Sequence, residues 1–156
     1  ALSVLTSIFL HGDAWHLIGN MLFLYIFGDN VEDACGHWRF VVFFLLTGAI
    51  AALAHGYADV TSEAPLIGAS GAVSGVLGAY ILLSPGAKIT VLLPFFIPIQ
   101  LKAWVVVGSW FTFQAIASSG LIGSENVAYM AHVGGFVAGA ILISLLKRPE
   151  VSLHHR

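Results

Sequence analysis

Five apolar stretches separated by short polar segments constrain the fold of this chain more than any other feature. A helix that crosses a bilayer needs about 20 predominantly apolar residues, with some tolerance. Only 9% of the residues are charged, whereas soluble domains carry roughly 25%. The sequence therefore predicts an all-α, polytopic transmembrane helical bundle that forms one domain over residues 1–156, with five spans at 14–27, 38–54, 66–83, 89–113 and 127–146.

Polar residues close the first of these stretches. Gly28 and Asn30 indicate the end of the first span. The acidic side chains of Asp29, Glu32 and Asp33 come at this end and just after it, and such a charged cluster is typical of a solvated segment. The sequence therefore predicts a polar turn between the first and second spans.

Two prolines interrupt the fourth and longest stretch. Pro94 and Pro98 lie in an aromatic and apolar run, and proline removes a backbone donor and kinks or ends a helix. Residues 88–101 are therefore predicted to form an interfacial or broken segment. The fourth span itself is expected at 103–117.

The positive charges predict how the bundle is oriented. If residues 1–13 lie on one side of the membrane, five spans place most of the basic residues on the opposite side. These are Arg39, Lys88, Lys147, Arg148 and Arg156, while the side of Lys102 is ambiguous. The loops at 55–65 and 118–126 contain acids and no Lys or Arg. Basic residues are enriched in cytoplasmic loops, so the side that carries these two loops is predicted to be extracytoplasmic.

A serine and a histidine occur in this apolar sequence where polar groups are costly. Ser70 follows Gly68 at the start of the third span, and His132 lies near the start of the last. Polar side chains within a membrane usually face a cavity and serve function, and a hydroxyl with an imidazole can form an activated nucleophile. Taken singly, each residue is more often structural, as a helix-packing serine or a satisfied core histidine.

The small residues around this pair predict that two spans pack closely. Gly135 and Gly139 follow His132 by three and seven positions and share its helix face. The third span also offers small residues, among them Gly71, and small residues let membrane helices approach closely. We therefore expect the third and last spans to meet along this groove, with Ser70 near His132.

A second polar pair lies on the first span. His16 and Asn20 are four positions apart and share one helix face. Both side chains can donate hydrogen bonds to a developing oxyanion, an interaction that a low-dielectric site strengthens. The backbone N–H of Ser70, near a helix start, would be a third donor.

The ordered motifs resemble those of the rhomboid family of intramembrane serine proteases. They are HGDAWHLIGNM at 11–21, GASG at 68–71 and AHVGGFVAG at 131–139. The resemblance implies that Ser70 is the nucleophile, that His132 is the general base of a dyad, and that His16 and Asn20 form the oxyanion hole. Gly68 would shape the backbone beside that hole. His11 either shapes the mouth of the cavity or lies at the membrane interface.

The resemblance also implies which partners this chain has and that one helix of the family core is missing from it. Substrates would be transmembrane segments of other proteins, cleaved near the outer membrane face within membrane lipid, with no nucleic acid, metal or cofactor. The family core has six helices, so the helix before the first span is expected to be missing from this chain. Some members carry a tyrosine one turn after the nucleophile, where this chain has Ser74.

Three other kinds of protein are alternatives to a serine protease. A zinc site is disfavoured because His11 and His16 are five apart and the chain has no HExxH motif. A transporter is disfavoured because the region from Pro94 to Gln100 lacks an ionisable relay. A catalytically silent rhomboid-like protein that binds membrane helices stays open as the alternative function.

Overall fold

A computed structural model describes residues 2–58, 66–123 and 127–154. Within these ranges the chain is mostly helical, and one two-stranded hairpin precedes the fifth helix. The helices are α1 (Leu2–Thr6), α2 (Ala14–Cys35), α3 (His37–Ala58), α4 (Ser70–Leu83), α5 (Ala103–Ala117) and α6 (Tyr129–Leu146), and the strands are β1 (Lys88–Leu93) and β2 (Ile97–Lys102).

Helix α4 lies at the centre of the bundle. It contacts α2, α3, α5 and α6, and every residue from 71 to 80 is buried. Its small side chains make this possible, because glycine and alanine let neighbouring backbones come close on several sides. The helix that begins at Ser70 is therefore enclosed by the helices that carry the other candidate residues.

Two of the described helices, α3 and α6, are long and apolar enough to cross a membrane by length and composition. Helices α4 and α5 are apolar but have only 14 and 15 residues. At 1.5 Å per residue they reach roughly 21–23 Å, less than the hydrocarbon core of about 30 Å. Because α4 is enclosed by other helices, its length does not have to match the bilayer.

The predicted end of the first span at residues 28–30 is wrong. Helix α2 continues to Cys35 and ends at Gly36, which has a positive φ of 84°. Val31 and Ala34 continue the buried face begun by Phe27, at helical spacing. The acidic residues in between point away from this face, so they extend the helix on its polar side instead of ending it.

Residues 88–101, predicted as an interfacial or broken segment, belong to an antiparallel hairpin that pairs Lys88 with Lys102. The all-α prediction is therefore wrong for this segment. Pro94 begins the turn of the hairpin, where a missing N–H removes no ladder hydrogen bond. The helix expected at 103–117 is confirmed by α5.

The segment after α6 ties the helix ends together. The backbone N–H of Arg148 donates to the carbonyl of Ala34 at 2.8 Å, and that of His154 donates to the carbonyl of Leu82 at 2.7 Å. The guanidinium group of Arg148 also contacts the carbonyl of Asp33. The C-terminal ends of α2, α4 and α6 therefore meet at one end of the bundle, and their N-terminal turns lie toward the other.

Candidate active site

Ser70 is the first residue of α4, and the backbone before it makes a sharp turn. Gly68 has a φ of 113°, a conformation that glycine adopts without steric cost. Its N–H donates to the carbonyl of Ser7 at 3.0 Å, which anchors the turn. A Cβ at Gly68 would lie only 2.7 Å from Cε1 of His16, so a side chain there would push the His16 ring aside. The first-turn N–H groups of α4 have no intrahelical acceptors.

His132 lies one turn into α6, directly beside Ser70. Its Nε2 atom is 2.9 Å from the Oγ atom of Ser70. Both residues are half-buried. The helix crossing that brings them together is made by glycine: a Cβ on Gly135 would overlap the carbonyl of Gly71, and a Cβ on Gly139 would overlap the carbonyl of Gly75. The predicted packing of the third span against the last is confirmed.

His16 and Asn20 project from α2 into the same place. Both line a cavity of about 200 Å³ together with Ser70 and His132. Asn20 is buried, and its Nδ2 atom has no acceptor among the described residues. A buried amide donor without a partner is uncommon and calls for an explanation. A substrate oxygen in this cavity would supply an acceptor.

His11 lies against His16. The two imidazole rings are 5.3 Å apart between centroids and nearly perpendicular. The Nε2 atom of His11 is buried and has no partner within the described ranges. His11 therefore packs at the site, in contact with a ring that lines the cavity.

A second cavity of about 570 Å³ reaches the same pair from another direction. Ser70, His132 and His16 line it together with Gly12 and Val127, among others. Ser70, His132 and His16 therefore line both cavities. Among the described residues no group of three or more His, Cys, Asp or Glu side chains is arranged to hold a metal ion.

Asp13 fixes the start of α2 and so the position of His16. Its carboxylate accepts a hydrogen bond from the backbone N–H of His16 at 2.8 Å, as an N-cap residue does. We expect Asp13→Ala to lower the free energy of unfolding by about 1 kcal/mol and Asp13→Ser to retain most of it. Denaturation of the purified protein by SDS in mixed micelles measures both. Equal loss in the two variants would exclude the capping role.

Two residues of α5 also contact His132, and neither belongs to the site predicted from the sequence. The Oε1 atom of Gln114 is 2.8 Å from Nδ1 of His132. The indole of Trp110 packs beside the imidazole, with ring centroids 6.0 Å apart. The rule that singled out Ser70, a polar side chain within an apolar helix, applies equally to Gln114 and could have found it.

Ser74, at the position where some members of the resembling family have a tyrosine, bonds to the backbone instead. Its hydroxyl donates to the carbonyl of Ser70 at 2.6 Å, and its side chain is buried. The aromatic neighbour of His132 comes from Trp110 on α5, so the imidazole is packed from a different helix.

Comparison with known proteins relates this chain to one family. The Rhomboid domain family matches residues 1–149. The chain is 33% identical to rhomboid protein 1, mitochondrial, of Saccharomyces cerevisiae, over 90% of the chain and 40% of that protein. It is 31% identical to rhomboid-like protein 11, chloroplastic, of Arabidopsis thaliana, over 95% of the chain and 54% of that protein.

A bacterial relative carries the word protease in its name. Rhomboid protease GluP of Bacillus subtilis is 33% identical over 89% of the chain and 25% of that protein. The chain spans about half the length, or less, of these curated relatives. The match of the family to nearly the whole chain shows that this protein belongs to the rhomboid family.

Proposed function

We propose that this chain is a serine endopeptidase that hydrolyses peptide bonds in or near transmembrane segments of other proteins. The observation that carries the proposal is the 2.9 Å contact between Oγ of Ser70 and Nε2 of His132 across two helices. That distance is within the range expected for a nucleophile and its general base. Rhomboid proteins are membrane proteins and generally serine proteases, which agrees with this chemistry.

In the proposed reaction Ser70 is the nucleophile and His132 the general base. The Oγ atom of Ser70 attacks the substrate carbonyl carbon while Nε2 of His132 accepts the hydroxyl proton. The same imidazole then protonates the leaving amine. A water molecule repeats the sequence on the acyl-enzyme and releases Ser70. No metal or cofactor is needed for any of these steps.

The oxyanion formed in each step would be held by donors from two helices. The Nδ2 atom of Asn20, which has no acceptor in the part of the chain that the structure describes, and the imidazole of His16 come from α2, and the backbone N–H of Ser70 comes from the start of α4. Hydrogen bonds that are in place before charge develops stabilise the transition state most in a low-dielectric site. Gly68, Gly71, Gly135 and Gly139 support this arrangement by allowing the close packing.

We also propose that the bundle crosses the membrane five times and that the site opens on the extracytoplasmic side. The basic residues at the opposite end, such as Lys147 and Arg148 after α6, support this orientation under the positive-inside rule. A substrate helix would have to unwind locally, because its backbone groups are hydrogen-bonded within the helix. Segments that contain glycine or proline would therefore be preferred.

The alternative is a rhomboid-like protein that binds membrane helices without cleaving them. Such a protein has no need of a hydroxyl within hydrogen-bond distance of an imidazole, or of an unpaired amide donor beside them. The contact between Ser70 and His132, together with an Nδ2 atom of Asn20 that has no acceptor among the described residues, favours the enzyme.

A fluorophosphonate probe tests the proposal without knowledge of the substrate. An activated serine attacks the phosphorus and displaces fluoride, which leaves a stable adduct on the protein. We expect the protein in lipid vesicles to form one adduct, which mass spectrometry maps to Ser70. Heat-denatured protein is the control and should not react. An unlabelled native protein, or an adduct on another residue, would contradict the proposal.

A further inference from the structure

Gln114 is a buried polar side chain that has no role in the two-residue mechanism proposed above. Only 6% of its surface is exposed, and it lies in a helix otherwise rich in apolar residues. A buried amide is costly unless it is hydrogen-bonded, and polar residues inside a membrane bundle often mark functional sites. Its Oε1 atom is 2.8 Å from the Nδ1 atom of His132, the ring nitrogen that faces away from Ser70.

We propose that Gln114 is a positioning residue that holds His132 in the tautomer required for catalysis; this inference rests on the proposed function. To accept the proton of Ser70, the Nε2 atom must carry a free lone pair. A neutral imidazole then has its proton on Nδ1. That N–H needs an acceptor, and the Oε1 atom of Gln114 stands at hydrogen-bond distance from it.

The amide keeps this role throughout the proposed reaction. When His132 takes the proton from Ser70, both ring nitrogens become donors, and the Nδ1–H bond to Gln114 is unchanged. A carboxylate would also accept this bond, but an ionised group is costly to bury in a low-dielectric site. A neutral amide therefore orients the ring without that cost.

The surrounding packing keeps the amide in place. Trp110 precedes Gln114 by one helical turn, so both side chains project from the same face of α5, and the indole lies beside the imidazole. The neighbouring Phe111 stacks on Phe136 of α6 with ring centroids 4.2 Å apart. This aromatic contact joins α5 to the helix that carries His132.

The test compares three variants by the kinetics of fluorophosphonate labelling. Gln114→Met keeps the size of the side chain but removes the acceptor, and we expect its maximal inactivation rate to fall about tenfold while the probe concentration at half-maximal rate stays within about twofold. Gln114→Glu keeps an acceptor oxygen and should retain more of the rate. Val107→Ala, at a buried position on the same helix, loses packing alone. Its maximal inactivation rate, corrected for the fraction of protein that is folded, should equal that of the wild type.

The ¹⁵N spectrum of imidazole-labelled His132 provides a readout that does not depend on activity. The signal is assigned by its absence in His132→Ala. We expect a protonated Nδ1 and an unprotonated Nε2 in the wild type and in Gln114→Glu, and loss of this preference in Gln114→Met. A wild-type tautomer and rate in Gln114→Met would overturn the inference. A native protein that never reacts with the probe would contradict the proposed function instead, while the spectrum would still decide whether Gln114 sets the tautomer.

Discussion

Alanine in place of Ser70 or His132 is expected to lower peptide cleavage by about 10⁴-fold or more. In the proposed reaction Ser70 forms the acyl-enzyme, so its loss removes that step. Without His132 the hydroxyl keeps its proton and is a poor nucleophile. The measurement is cleavage of a single-span reporter, with glycine and proline in its membrane segment, by the protein reconstituted in vesicles.

The double variant distinguishes a dyad from two independent contributions. Groups that act as one unit are strongly non-additive, so removing both should cost about as much as removing one. Ser109→Ala and His37→Ala are matched controls, because both side chains are exposed and, among the described residues, bond to nearby groups, the carbonyl of Val106 and the carboxylate of Glu32. Both should cleave at the wild-type rate. A Ser70→Ala protein that still cleaves would assign the reaction to another residue.

The parts of the site that the sequence predicted depend on spacing within single helices. His16 and Asn20 are one turn apart, and both line the cavity beside Ser70. Gly135 and Gly139 lie on the face of α6 that meets α4, as their positions relative to His132 indicate. In each case helix geometry alone relates residues that are close in sequence, and only the pairing of helices had to be assumed.

The contact of Gln114 with His132 could not be derived in this way. It joins two helices, and which face of α5 points toward α6 depends on aromatic packing between them, such as the stacking of Phe111 on Phe136. Apolar residues occur on all faces of α5, so its sequence has little amphipathic pattern to indicate which face is buried. Tertiary packing, and not periodicity, decides the neighbours of Gln114.

The two errors in the fold have local causes. At the end of α2, the charged residues predict a turn, but Val31 and Ala34 continue the buried helical face. In the segment that contains Pro94, the alternation of half-buried Ile89 and Val91 with exposed neighbours is the period of a strand. Such short apolar runs cannot be assigned to helix or strand by hydrophobicity alone.

Among the described glycines, Gly139 leaves the least room for a side chain, and its substitution has the largest expected effect on stability. A Cβ added at Gly139 would lie 2.5 Å from both the Cα and the carbonyl carbon of Gly75 and would overlap its carbonyl oxygen. These are backbone atoms, so no side-chain rotation can make room, and α4 and α6 must move apart. We expect Gly139→Ala to lower the free energy of unfolding by about 3 kcal/mol. Denaturation by SDS in mixed micelles, followed by circular dichroism, measures this change.

Gly108→Ala is the matched control for this substitution. Gly108 lies within α5, and a Cβ there meets no heavy atom of residues 2–58, 66–123 or 127–154 within 4 Å. Alanine favours a helix over glycine by roughly 0.5–1 kcal/mol, so this variant should be as stable as the wild type or slightly more so.

Separation of α4 from α6 would also move His132 away from Ser70, so Gly139→Ala should label more slowly with the fluorophosphonate even while folded. Equal stability in the two glycine variants would mean that α4 and α6 do not cross at Gly75 and Gly139.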